Sequence, residues 1–306
     1  MRRIRTSLAA LSAALVMGAP AFAECRGRFA VEVLGSGGPL ADDSRASAGY
    51  LVWVDGEAKL LIDAGGGVFL RFGEAGAKLE NLDAILISHF HADHVADLAA
   101  ILKSGFFEGR TRELTLAGPA GNDHFPGLSG FLSANFDSAT GAYRYLSGYL
   151  TGAGAPRLAP VEIDPRAESV ATIIETGPLK AEAVPVNHGD VPALAFVVSV
   201  DGATAVFAGD QSLLSGYFDE VLSGSAPALL IAHHAISEAK GQPRGLHRAP
   251  SSIGEMAARL KAKRLVLSHN MKRALDTKDE GLRLIRQSYS GPVKIANDHA
   301  CFTVVR

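Results

Sequence analysis

The sequence predicts a single α/β domain, and three observations predict it. Short β-rich runs alternate with helix-like segments along the chain, no long low-complexity linker divides it, and no internal repeat is apparent. The 306 residues (32.0 kDa) suffice for a sizeable core. A hydrophobic fraction of 47% with a mean hydropathy of +0.15 excludes wholesale disorder and collagen-like or coiled-coil repeats.

Residues 1–23 read as a cleaved export signal. Met1-Arg2-Arg3-Ile4-Arg5 is a positive start, Leu8 to Ala19 an apolar run, and Ala21-Phe22-Ala23 a cleavage site. The run is shorter than the roughly 20 apolar residues that span a bilayer. Glu24 before Cys25 argues against a lipid anchor. The remaining chain, 24–306, is therefore expected to be periplasmic or secreted, with no membrane association once the signal is removed. Loss of Arg2, Arg3 and Arg5 makes a formal net charge of −2 more negative still. That balance gives no sign of a nucleic-acid-binding surface, and the expected partner is a small-molecule substrate, with nucleic acid unlikely.

The elements follow in order. Arg28 to Leu34 reads as a first strand, followed by Tyr50 to Val54, Lys59 to Ile62 and Ala84 to Ser88, with turn residues between them. A helical pattern covers Val95 to Lys103. Residues 122–160 are rich in Gly, Ser and aromatics, with Arg144 and Arg157 as their only Lys or Arg. This segment is either a cap on the core or an inserted aromatic lid. Leu179 to Val186, Leu194 to Val200 and Ala203 to Ala208 read as three adjacent strands. Helices are expected near Ser251 to Leu260 and Asp279 to Gln287, with a strand at Arg264 to Leu267 between them, and Phe302 to Val305 ends the chain as a strand. If the first and last strands are neighbours, Cys25 and Cys301 can form a disulfide, in keeping with an oxidising compartment.

The chemistry is concentrated at Ser88-His89-Phe90-His91-Ala92-Asp93-His94, where a strand gives way to a helix. With ten His against two Cys, a metal site here must be built from imidazole and carboxylate. The turn lets His89 and His91 converge on one cation while Asp93 and His94 point to a second. Such a cluster would be costly to bury without one.

These residues resemble the metallo-β-lactamase-fold hydrolases. Leu61-Ile62-Asp63-Ala64-Gly65 lies upstream of the His motif, and Asn187-His188-Gly189, Gly209-Asp210 and Leu267-Ser268-His269 follow in the family's order. The resemblance implies a four-layer αββα sandwich with two divalent ions at one edge. By carry-over, His89, His91 and His188 hold the first ion, Asp93, His94 and His269 the second, and Asp210 bridges them. Zn2+ is the default for such donors, with Mn2+ or Fe also suited. Within the superfamily, Leu34-Gly35-Ser36-Gly37-Gly38-Pro39, Ala117-Gly118-Pro119-Ala120-Gly121 and Leu246-His247-Arg248-Ala249-Pro250 look like the ribonuclease Z-like branch. That likeness makes His247 a proton donor to the leaving oxygen and, with Asp93, a catalytic candidate. Asp63 is expected to orient a ligand imidazole. His233 and His234, ending an apolar strand, are candidates for lining the pocket, and His124 and His299 for surface or packing roles. Homodimers are common among similar proteins.

The chain departs from the family at three places. Ala92 stands for the usual Gly, Gln211 for the usual Thr, and His233-His234 for the branch's His-Glu. The branch's long basic arm has no visible counterpart. The resulting expectation is an exported two-metal hydrolase that cleaves phosphodiester or related ester bonds of a small substrate through a metal-bridging hydroxide. A lactonase or other carbonyl hydrolase of the same fold is the alternative. An RNA-processing nuclease and a non-catalytic metal-binding protein rank below both.

Overall fold

The computed structural model describes residues 25, 27–154 and 156–306, so the export-signal reading of 1–23 lies outside the described residues. Among the described residues, fourteen strands form two seven-stranded sheets. The first holds β1 (Phe29–Gly35), β2 (Gly49–Val54), β3 (Glu57–Ile62), β4 (Ala84–Leu86), β5 (Leu114–Pro119) and β6 (Leu158–Ile163). The second holds β7 (Ala171–Thr176), β8 (Leu179–His188), β9 (Val191–Val200), β10 (Ala203–Phe207), β11 (Leu229–His233), β12 (Leu265–Ser268) and β13 (Val293–Ile295). The last strand, β14 (Ala300–Val305), returns to the first sheet, whose order is β14-β1-β2-β3-β4-β5-β6.

Each sheet has an antiparallel half and a parallel half. Hairpins join β1 to β2 and β2 to β3, whereas β3 to β6 run parallel. In the second sheet β7 to β10 are antiparallel and β10 to β13 parallel. Parallel neighbours need crossovers, and these carry helices α1 (Val68–Glu74), α2 (Ala92–Val95), α3 (Leu98–Ser104), α4 (Leu128–Phe136), α5 (Gly148–Thr151), α6 (Gly216–Val221), α7 (Pro250–Arg259), α8 (Lys272–Leu275) and α9 (Lys278–Ser288).

The layering follows from the two-residue period of a strand. On β1, Phe29, Val31 and Val33 face a core shared with Phe196, Val198 and Ile231 of the other sheet. The intervening Ala30 and Leu34 face a second core with Phe72, Leu98 and Ile101 from the helices. The second sheet repeats the arrangement, with Val184, Val206 and Leu230 packing under Ile253, Met256 and Ile285. Strands buried on both faces and helices outside give an αββα sandwich, as the resemblance implies.

One local outcome differs in detail from the sequence reading. The helix over Val95 to Lys103 is interrupted between α2 and α3, where the Asp97 N–H donates to the Ala64 carbonyl (2.9 Å) and its carboxylate accepts from the backbone N–H groups of Gly67 (2.8 Å) and Phe69 (2.9 Å). Within 122–160, Leu128, Leu132, Phe136, Leu146 and Tyr149 belong to the outer core of the first sheet, and Tyr149 donates to the Leu102 carbonyl at 2.6 Å. The segment packs as a cap. Cys25 and Cys301 form a disulfide, and β1 pairs with β14.

Candidate metal centre

The chemistry-bearing side chains lie beyond the strand ends at one edge of the sandwich, where parallel strands stop and loops take over. Asp63 follows β3, and 88–94 follow β4. His188 ends β8, Asp210 follows β10, His233 ends β11 and His269 follows β12. Backbone hydrogen bonds clamp the motif: Asp63 N–H donates to Leu86 O, Ala64 N–H to His94 O, and Leu194 N–H of the second sheet to Ser88 O. Gly65 is needed for close approach, since a Cβ there would sit 2.1 Å from the Asp93 carbonyl oxygen. Asp63 (φ 56°) and His269 (φ 50°) occupy the left-handed region, a strained conformation for residues with a Cβ and one that gathers at functional sites.

Two groups of donors emerge. His89 Nε2 and His91 Nδ1 stand 2.9 Å apart, with His188 and Asp210 completing a set within 4.8 Å. Beside it, His269 Nε2 is 3.1 Å from Asp93 Oδ2, and His94 Nε2 is 3.7 Å from the same oxygen. Asp210 Oδ2 faces both groups, at 3.6 Å from His188, 3.7 Å from His94 and from His269, and 3.9 Å from His89. By mutual distance, the place of Asp93 beside His94, Asp210 and His269 is taken by His233. Its two nitrogens are already engaged, however: Nδ1 with Asp210 Oδ1 at 2.7 Å and Nε2 with the Tyr50 hydroxyl at 3.1 Å.

Hydrogen bonds set the tautomers. His94 Nδ1 donates to Asp63 Oδ2 (2.8 Å) and His188 Nδ1 to the Leu246 carbonyl (2.8 Å). His89 Nδ1 faces Ser88 Oγ (3.1 Å), whose own proton goes to Asp63 (2.8 Å). Each ring then turns its Nε2 inward. Nε2 of His94 and of His188 are buried with no hydrogen-bond partner, which costs about 1–3 kcal/mol apiece if nothing else meets them. Imidazole nitrogens and carboxylate oxygens converging in this way fit two borderline-hard divalent cations.

Burial and neighbouring charge move these groups in opposite directions. Burial pushes His89 far down and His233 down to about 4. Burial also works against charge on His94, but the carboxylates of Asp63, Asp210 and Asp93 outweigh it and lift His94 to about 9. Burial would raise Asp93, yet the His269 hydrogen bond and nearby imidazoles pull it down to about 2. Asp210 is held well below the carboxylate range against burial, by His269, His247 and His233.

The centre opens into a cavity of about 330 Å3 whose wall includes His91, His188, His247, Leu246, Met271 and Arg273. Among the described residues, none of 122–160 lines it. His247 Nδ1 stands 3.5 Å from Asp210 Oδ1. The loops of these two residues are tied by Arg248, which donates to Gln211 (3.0 Å) and Asp219 (2.9 Å). Of the pair expected to line the pocket, His233 faces the centre, whereas His234 turns away to Asn270 (3.1 Å). His299 lies between Glu32 and Glu74, 3.0 Å from each, outside the centre. The sequence reading missed the contact of His233 with Asp210, because a single His at a strand end has no spacing to distinguish it.

Comparison with known proteins agrees with this geometry. The profile of the metallo-beta-lactamase superfamily matches residues 43–269. A protein named Ribonuclease Z from Mycolicibacterium paratuberculosis is 28% identical over 279 residues, covering 88% of this chain and 95% of that protein. Among solved structures, the metallo-beta-lactamase fold protein YhfI from Bacillus subtilis superposes with a TM-score of 0.68 at 21% identity, over 90% of this chain and 98% of that one. The short form of human tRNase Z gives 0.66 at 19% identity, over 90% and 100%. Relatives with these names contradict the expectation that nucleic acid is an unlikely partner. That expectation rested on net charge and a missing basic arm, and a whole-surface average does not report the few groups that meet a scissile phosphate. The matched profile, the sandwich and the ordered strand-end donors together place the chain in the metallo-beta-lactamase superfamily.

Proposed function

We propose that the protein is a two-metal phosphodiesterase, with RNA phosphodiesters the substrate class suggested by the names of its relatives. One observation carries the reading: two groups of inward-facing donors share Asp210 Oδ2, with His247 beside them on the cavity wall. His89, His91 and His188 would hold the first ion, and Asp93, His94 and His269 the second, with Asp210 between them. When bound, the ions would activate water and offset charge on the phosphoryl oxygens. Zn2+ is the metal we propose, from the thiolate-free imidazole and carboxylate donors.

The chain's own side chains do the rest. Asp63, Ser88 and the Leu246 carbonyl orient the imidazoles. His247 faces the cavity next to Asp210 and would give a proton to the departing oxygen. Leu246, Met271 and Pro39 keep part of the wall apolar, and Arg273 is the cation on it. We also propose export to the periplasm or beyond, supported by the pattern of residues 1–23 and by the Cys25–Cys301 bridge.

The test is elemental analysis combined with turnover of bis(p-nitrophenyl) phosphate, a short RNA and a lactone. Two ions per chain with cleavage of either phosphodiester is the expected result. Two ions with lactone opening alone would replace the reading with a carbonyl hydrolase. No bound metal after reconstitution would overturn it.

A further inference from the structure

We infer that His233 is a positioning residue for the bridging carboxylate, acting as an Nδ1–H donor that Tyr50 and Ser268 hold in that tautomer. The inference rests on the two-metal reading and goes beyond it by assigning a role to a histidine outside the seven proposed ligands.

Asp210 presents its two oxygens to different partners. Oδ2 faces four imidazole nitrogens at 3.6–3.9 Å. Oδ1 turns away from them, with His233 Nδ1 at 2.7 Å and His247 Nδ1 at 3.5 Å. An ionised carboxylate only accepts, so His233 Nδ1 must carry the proton of that short contact. The other nitrogen of a neutral ring is then an acceptor and needs a donor. Tyr50 supplies it: its hydroxyl lies 3.1 Å from His233 Nε2, and it shares a second hydrogen bond, at 3.0 Å, with Ser268 Oγ. The Tyr50 hydroxyl has one proton, so giving it to His233 Nε2 leaves the Ser268 hydroxyl to donate to the Tyr50 oxygen; the chain Ser268 to Tyr50 to His233 to Asp210 then satisfies every member in one direction. Reversing the His233 tautomer would set a ring lone pair against a carboxylate oxygen.

The relay spans both sheets. Tyr50 comes from β2 of the first sheet and is 1% exposed, while His233 and Ser268 end β11 and β12 of the second. The rotamer of Asp210 is thereby fixed by the packing of one sheet on the other, and Oδ2 is kept between the donor groups. A ligand role for His233 is disfavoured by its own contacts, because both ring nitrogens already have partners. Asp93 Oδ2 stands 3.1 Å from His269 Nε2, ready to complete the second group without it.

The experiment compares the wild type with His233→Ala, His233→Asn and Tyr50→Phe, each loaded with Zn2+. It reads the EDTA concentration that strips half the metal, ions per chain, the visible spectrum of the Co2+ form, and kcat against KM. An Asn amide restores an N–H near the Nδ1 position. His233→Ala should lower metal affinity about 10- to 100-fold, the range for an outer-shell partner of a ligand. His233→Asn should recover most of that loss with the wild-type Co2+ spectrum, and kcat should fall in His233→Ala while KM holds. Tyr50→Phe should show a smaller loss in the same direction. Wild-type EDTA resistance in His233→Ala would overturn the inference, as would His233→Asn binding as weakly as His233→Ala. Should His233→Ala not fold, Tyr50→Phe and His233→Asn decide by the same readouts. A wild type that holds fewer than two ions would instead sink the two-metal reading.

Discussion

At the scale of single residues, the centre is a set of donors whose direction is imposed from behind. Asp63 contributes most to that orientation, because it accepts from His94 Nδ1, from Ser88 Oγ and from the Ser88 backbone N–H at 2.7–2.8 Å. Replacing it with Ala should leave His94 free to take the other tautomer and reduce metal affinity about 10- to 100-fold, measured by competition with a chelator. The proposed ligands are a harsher case. His91→Ala or Asp210→Ala should abolish turnover and reduce bound metal together, by elemental analysis and the bis(p-nitrophenyl) phosphate assay. Turnover at the wild-type rate in either variant would refute the assignment. The seven ligand candidates were legible in the sequence because a dense H-x-H-x-D-H run and three later strand-end residues appear in a set order. His233 was legible only as a strand-end imidazole, since its partners Tyr50 and Asp210 come from remote strands that meet only on folding.

At the scale of elements, alternation of apolar and polar residues is informative where one face is solvated and weak where both are buried. Strands β8, β9 and β10 were foreseen as three neighbours and pair that way. Strand β7, at a sheet edge and largely exposed, has no such pattern and was not foreseen. The loop from β11 to α7 carries His247 and has its own anchor. Glu238 accepts from the Ser251 N–H and hydroxyl, each at 3.0 Å, at the first turn of α7, and pairs with Arg244. Burial opposes its ionisation, but these donors hold the Glu238 carboxyl below its ordinary range. A depressed folded-state pKa contributes stability above the unfolded value of about 4.5 that is lost as pH falls through the folded value. Glu238→Ala should therefore cost about 1 kcal/mol at pH 7, the worth of a helix N-terminal acceptor. The gap from wild type should narrow as pH is lowered from 7 to below 4.5, as read from urea midpoints. A gap that stays constant between those pH values would show that the ionised carboxylate is not what holds the loop.

At the scale of the whole molecule, the disulfide was legible only conditionally, because it depended on whether the first and last strands are neighbours. They are, with Phe29 opposite Val305 and Glu32 opposite Cys301. The bridge closes a loop of sequence separation 276 and ties the residues before β1 to β14, an outer strand whose partner within the sheet is β1 alone. In the chain-entropy account, a loop that long limits the unfolded ensemble by roughly 5 kcal/mol, and removing native bridges typically costs about 2–5 kcal/mol. In a protein of this size that corresponds to a drop of roughly 3–9 °C in melting temperature. The double variant Cys25→Ala, Cys301→Ala should show that drop by calorimetry. It should still bind as many metal ions at 25 °C as the wild type, because the proposed ligands sit at or just beyond the ends of β4, β8, β10 and β12 and none lies on β14. Loss of metal together with the bridge would mean that the outer strand supports the centre through the Asp298 contacts to Ser36 and Ala46. An unchanged melting temperature would mean that packing of β14 on β1 suffices without the covalent tie.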